Sequence, residues 1–171
     1  MILSKEKLER YAPLIGVFTA VISATLILAF TRKSFASDEL MRSFMAFFFL
    51  TFGGFKAYNL SGFEEAFKMY DLIAKKSDIY AKLYPFIELG LGVSYLFLSF
   101  NSIRTLEIAT HSITVLIMAI GAIGVLDKLK EREEIPCACL GNVFNIPMTW
   151  VTLGEDLLMA GMAAWMLITI L

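Results

Sequence analysis

The chain has 171 residues, of which 58% are hydrophobic, and a formal net charge of −1. Its mean hydropathy of +0.71 is well above that of a soluble domain, which is nearer half apolar and cannot hide such long greasy runs. A near-zero net charge gives no footing for a nucleic-acid partner, and the length allows one compact domain plus one extra element.

Taken in chain order, a polar head (Met1 to Arg10) precedes a first apolar run from Ala12 to Phe30. A bilayer span needs about 20 mostly apolar residues. This run exceeds a signal-peptide core of about 7–15 residues, so it reads as an uncleaved anchor despite a cleavage-like Ser-Phe-Ala at Ser34 to Ala36. The second span runs from Met41 to Tyr58, the third from Tyr84 to Phe100, the fourth from Leu106 to Leu126 and the fifth from Thr149 to Leu171. The expected fold is therefore an all-α integral membrane bundle of about five transmembrane helices. Residues 1–40 form the tail and first span, and residues 41–171 form a four-helix membrane domain.

The segment 61–83 has a different pattern. Phe63, Ala66, Phe67, Tyr70, Ile73 and Ala74 recur at spacings of three and four, with Glu64, Glu65, Lys68, Asp71, Lys75 and Lys76 opposite. That predicts an amphipathic interfacial helix, either touching lipid or packed on its own bundle. Ser61 with Glu64 resembles a capping box at its start.

Five spans put the termini on opposite sides. One side then collects Lys5, Lys7, Arg10, Lys56, Lys68, Lys75, Lys76, Lys82, Lys128, Lys130 and Arg132, and the other only Arg32, Lys33, Arg42 and Arg104. The positive-inside rule places the N-terminus and the loop 127–147 in the cytoplasm. The same topology brings Lys56, Glu88, Glu155 and Asp156 to one membrane depth, beside that loop. Ionisable groups inside a span cost about 2.5–3.5 kcal/mol each on insertion scales, so they pair or line a polar cavity. These four read either as an ion pair that locks the bundle or as a functional polar cluster.

The loop carries the only two cysteines, Cys137 and Cys139, between Pro136 and Gly141. Residues two apart diverge on a helix but share a side in an extended segment, and the flanking proline and glycine oppose helix. The two sulfurs are therefore expected side by side. Three roles follow: thiol–disulfide exchange, capture of a soft metal such as Cu(I), Hg(II) or Zn(II), or plain packing. A cytoplasmic location argues against a permanent structural disulfide. Glu131, Glu133 and Glu134 oppose Lys128, Lys130 and Arg132 in tuning the thiols, with no evident winner.

A metal-binding reading would add Glu155 and Met159, which share a helical stripe with Met148, Met162 and Met166. Methionine is equally a gap-filling core residue. His111, the sole histidine, falls near the outer end of the fourth span with Met118 on the same face. It reads as an interfacial hydrogen-bonded residue, or as a weak metal ligand on a path across the bundle.

Phe55-Lys56, Ser61-Gly62-Phe63, Tyr70, Pro85-Phe-Ile-Glu88-Leu-Gly90, Cys137-Ala-Cys139-Leu-Gly141, Pro147 and Glu155-Asp156 together resemble the MauE/DoxX-like membrane proteins. That family is named for methylamine utilisation and for a thiosulfate–quinone oxidoreductase subunit. The resemblance covers roughly Phe44 to Ala164 and leaves the first span as an addition. The family often shows Cys-Gly-Cys-Phe-Gly, from which Ala138 and Leu140 depart while the spacing is kept.

The resemblance implies a four-helix bundle in a bacterial plasma (inner) membrane and a thiol-redox association. It also implies help in forming or transporting disulfide-rich extracytoplasmic subunits. Similar proteins carry a fused glutaredoxin-like or heavy-metal-associated domain. Here that domain would be a separate soluble partner, glutaredoxin-like, thioredoxin-like or heavy-metal-associated. The first reading is thus a membrane thiol protein using Cys137 and Cys139, with Glu88, Glu155, Asp156 and Lys56 in support and no required cofactor. The alternatives are binding and transfer or transport across the membrane of a soft metal of the Cu(I) or Hg(II) type, and a structural membrane subunit.

Overall fold

The computed structural model describes residues 5–131, 135–144 and 150–171. All its regular elements are helices: α1 (Lys5–Arg32), α2 (Ser37–Tyr58), α3 (Leu60–Phe67), α4 (Asp78–Leu98), α5 (Arg104–Glu131) and α6 (Trp150–Ile170). Residues Tyr11–Arg32 of α1, together with α4, α5 and α6, are long and apolar enough to cross a bilayer. The expected all-α membrane bundle is therefore observed. The span expected from Met41 to Tyr58 lies in α2, whose 22 residues extend for about 33 Å. Yet α2 is not among the four, and it carries Asp38, Glu39, Arg42 and Lys56. It packs between α4 and α1, and Lys56 near its end is buried. A helix surrounded by protein needs less lipid-compatible surface than one facing acyl chains.

The second strong pairing is α5 with α6. Small residues let these helices approach: a Cβ on Gly92 would stand 2.8 Å from Leu50 of α2, and one on Gly121 3.3 Å from the Asp156 carboxylate of α6. Gly90 and Gly161, by contrast, face open space.

The segment 61–83 is not one helix. Only α3 is helical before a series of turns, and residues 78–83 already belong to α4. Two local competitors end the helix. The Asp71 carboxylate accepts the backbone N–H groups of Ile73 (2.9 Å) and Ala74 (2.8 Å), which gives the chain a turn in place of a helical ladder. Ser77 then accepts the N–H of Tyr80 and starts α4. The cap of α3 is Asn59, accepting from Gly62, and not the Ser61–Glu64 box. Phe63, Ala66, Phe67, Tyr70 and Ala74 are buried in the core. The apolar face of this segment thus closes the end of its own bundle.

Asp71 is fully enclosed, and Oδ2 has no hydrogen-bond partner among the described residues. Burial raises its pKa above the ordinary aspartate range, opposed by the N–H groups of Ala74 and Ile73 and by Lys75. The folded state therefore holds the proton more tightly than the unfolded chain. Its stability falls as pH rises from the ordinary aspartate value through the raised one. Asp71→Asn keeps an acceptor for both N–H groups and should flatten that slope. Asp71→Ala should lower stability at every pH by about 1–3 kcal/mol. Thermal unfolding of the detergent-solubilised variants between pH 4 and 8 checks both.

Candidate functional site

The cysteine loop is seated on the C-terminal end of α2. Gly141 takes the left-handed conformation (φ +63°), which glycine adopts without steric penalty. A Cβ there would run into the carbonyl oxygen of Phe55 and come within 3.0 Å of Lys56 Cα. The Asn59 side-chain amide donates to the Gly141 carbonyl (2.9 Å), and the Phe144 ring meets the Phe55 ring edge-on. Within the loop, the Gly141 N–H returns to Ala138 O.

This turn holds Cys137 and Cys139 side by side, as the spacing predicts, and they form a disulfide. Both are buried, Cys139 at 8% exposure and Cys137 at 2%. The Cys137 sulfur accepts the Cys139 backbone N–H (3.2 Å) and the Thr152 hydroxyl of α6 (3.5 Å).

Beneath the loop lies a cavity of about 30 Å³, bordered by Cys139, Lys56, Glu88, Thr152, Glu155 and Asp156, with Phe48, Phe52, Phe67, Tyr70, Tyr84, Met118 and Gly121 filling the remaining wall. Its size suits one or two water molecules, and its lining supplies their partners. The Lys56 ammonium is 2.5 Å from Glu88 Oε1 and lies over the rings of Tyr84 (5.2 Å) and Phe63 (5.7 Å). Glu88 Oε2 and Glu155 Oε1 are buried without a hydrogen-bond partner among the described residues. Three carboxyl groups and one ammonium thus line the same small cavity next to the disulfide, with the ammonium paired to Glu88.

A family model for methylamine utilisation protein MauE matches residues 17–169. The chain belongs to the MauE family. No curated protein and no solved structure matches it. The match begins within α1, so the first helix belongs to the family region and is not an addition before Phe44. With four helices suited to crossing a bilayer, this MauE-family chain is a multi-pass membrane protein.

The structure gathers Lys56, Glu88, Cys139, Glu155 and Asp156 around one cavity, with Cys137 bonded at its edge. Lys56 lies near the end of α2, and Glu88 is about 15 Å along α4 from Asp78.

His111 does not join the site. It precedes Gly121 by ten residues on α5, about 15 Å, and is fully buried. Its Nδ1 is 3.0 Å from the Tyr95 hydroxyl, which also donates to Thr114. The Arg42–Glu107 ion pair (3.1 Å) lies at the same end of the bundle. Met159 and Met166 are enclosed in the core, as packing residues are, and Met118 forms part of the cavity wall. Met148 and Pro147 lie outside the described residues. Among the described residues no group of three or more His, Cys, Asp and Glu side chains could hold a metal ion. The set Cys137, Cys139, Glu155 and Met159 is accordingly not assembled as a metal centre, and both sulfurs are engaged in the disulfide.

Sequence reasoning missed Thr152 and Asn59, and read Gly141 only as a residue that opposes helix. Gly141-Asn142 is a turn signal that could have marked the left-handed seat. Nothing in the sequence pairs Thr152 with a sulfur fifteen residues earlier.

Proposed function

We propose that this MauE-family protein exchanges electrons between the Cys137–Cys139 pair and the dithiol of a soluble glutaredoxin-like or thioredoxin-like partner. The observation that carries this reading is a disulfide placed on the edge of a carboxyl-lined cavity inside a membrane bundle. Reduction of a disulfide to two thiols takes two electrons and two protons. The partner supplies the electrons, and Glu88, Glu155 and Asp156 line the cavity that Cys139 borders, where they can exchange protons with the reduced pair. Lys56 fixes Glu88 and offsets one carboxylate.

Orientation follows from charge. The disulfide end of the bundle carries Lys68, Lys75, Lys76, Lys82, Lys128 and Lys130, and the opposite end Arg32, Lys33, Arg42 and Arg104. On the positive-inside rule the loop faces the cytoplasm. Disulfides in that compartment are usually transient and catalytic, which favours exchange over a permanent clamp. The oxidising equivalents handled here would serve the maturation of extracytoplasmic proteins, the role the family resemblance implies.

Mass-tag alkylation in native membranes, poised across a series of dithiol redox buffers, tests the reading. The expected result is a cooperative passage from no tags to two at a potential within the range of soluble thiol carriers. A pair that stays fully tagged in strong oxidants, or never tagged in strong reductants, removes the proposal.

A further inference from the structure

Resting on that exchange reading, we infer that the two sulfurs are not equivalent: the partner thiolate attacks Cys139, and the electron pair leaves on Cys137, where Thr152 is a positioning residue. In a thiol–disulfide exchange the attacking sulfur forms a new bond to one cysteine while the other departs as a thiolate. Which sulfur is attacked depends on access and on how well the departing charge is stabilised.

Both factors select the same direction. Cys139 is the more accessible sulfur-bearing residue, at 8% exposure against 2% for Cys137. Cys139 and not Cys137 borders the cavity with Glu88, Glu155 and Asp156, so negative charge developing there would face carboxyl groups. Cys137 Sγ instead receives two donors, the Cys139 N–H at 3.2 Å and the Thr152 hydroxyl at 3.5 Å. Hydrogen bonds to a charged form favour it. The neutral disulfide sulfur gains little from these donors, whereas a thiolate gains much, so they act on the departing charge.

The steps balance without a further reagent. The partner's first thiolate bonds to Cys139 Sγ, the Sγ–Sγ bond breaks, and Cys137 leaves as the thiolate held by Thr152 and the Cys139 N–H. The partner's second thiolate then attacks its own sulfur in the mixed disulfide and releases Cys139. The partner is oxidised to a disulfide, and both cysteines end as thiols after taking two protons.

The test uses the oxidised full-length chain in membranes and glutathione as a monothiol probe, which cannot complete the second step. After rapid acid quenching and alkylation, fragment sequencing of the loop peptide locates the mixed disulfide. We expect glutathione on Cys139 over Cys137 by at least about tenfold. Thr152→Val should lower that ratio several-fold, and Thr152→Ser, which keeps the hydroxyl, should restore it. A merely structural role of Thr152 would change the rate or the folded yield and leave the ratio alone. Glutathione found mainly on Cys137, or a ratio indifferent to Thr152→Val, overturns the assignment while leaving exchange intact. No adduct on either sulfur overturns the exchange reading and this assignment together.

Discussion

Lys56→Met is expected to destabilise the protein by about 3–5 kcal/mol, the effect of stripping one partner from a buried ion pair. Lys56 is 8% exposed and Glu88 1%, and their charged atoms are 2.5 Å apart. Removing the ammonium leaves Glu88 beside Glu155 and Asp156 with no cation lining the cavity. It also removes a cation held over Tyr84 and Phe63, a contact worth about 0.5–2 kcal/mol. The double variant Lys56→Met/Glu88→Leu should recover most of the loss, because a buried ion pair exchanged for apolar groups of similar volume is often neutral or stabilising. Denaturation of the four proteins of this double-mutant cycle, in one detergent, measures the coupling. If the double variant is no more stable than Lys56→Met, the ion pair is not the source of the effect. On the proposed exchange reading, activity should fall even in a well-folded double variant, because a leucine at position 88 would supply no proton.

Gly141→Ala should be the next most damaging single change. An alanine held in the left-handed region costs about 1–2 kcal/mol, and its Cβ would collide with the Phe55 carbonyl. That oxygen belongs to helix backbone and cannot swing aside, so the loop must lift off α2. Lifting breaks the Asn59–Gly141 bond and the Phe55–Phe144 contact and exposes the cysteines. The measurable signature is a lower unfolding temperature together with faster maleimide labelling of the reduced pair. Gly141→Asn separates the two causes. Asparagine tolerates the left-handed conformation but carries the same Cβ, so it should remain impaired. Labelling of Gly141→Ala at the parent rate would mean that the loop is not seated by this contact.

The helices were legible because apolar runs long enough to span a bilayer leave few alternatives. The convergence of Lys56, Glu88, Glu155 and Asp156 was legible for a related reason: in an antiparallel bundle the span count alone sets which ends meet. α2 shows the limit of that logic. Its charges made it look like any other span interrupted by polar ends, whereas in three dimensions it is sheltered by α1 and α4. The turns after Phe67 were not legible, since the 3.6-residue apolar rhythm of segment 61–83 continues past the point where Asp71 captures two backbone N–H groups. A periodic pattern reports which face is apolar, and it is blind to a side chain that outbids the helical ladder. The methionine stripe left two readings open, because soft-ligand chemistry and interior packing share one residue type and one spacing; Met159 and Met166 are enclosed in the core. Thr152 depended on how the α5–α6 connection folds back, which no local pattern encodes.

Asn59 gives the bundle a mechanical property of its own. One side chain uses its oxygen to start α3 and its amide nitrogen to grip Gly141. The corner between α2 and α3 and the sulfur-bearing loop thus share one joint. Lifting the loop would load the same joint that organises the aromatic plug of Phe63 and Phe67, so displacement of the loop and loosening of the plug should be coupled.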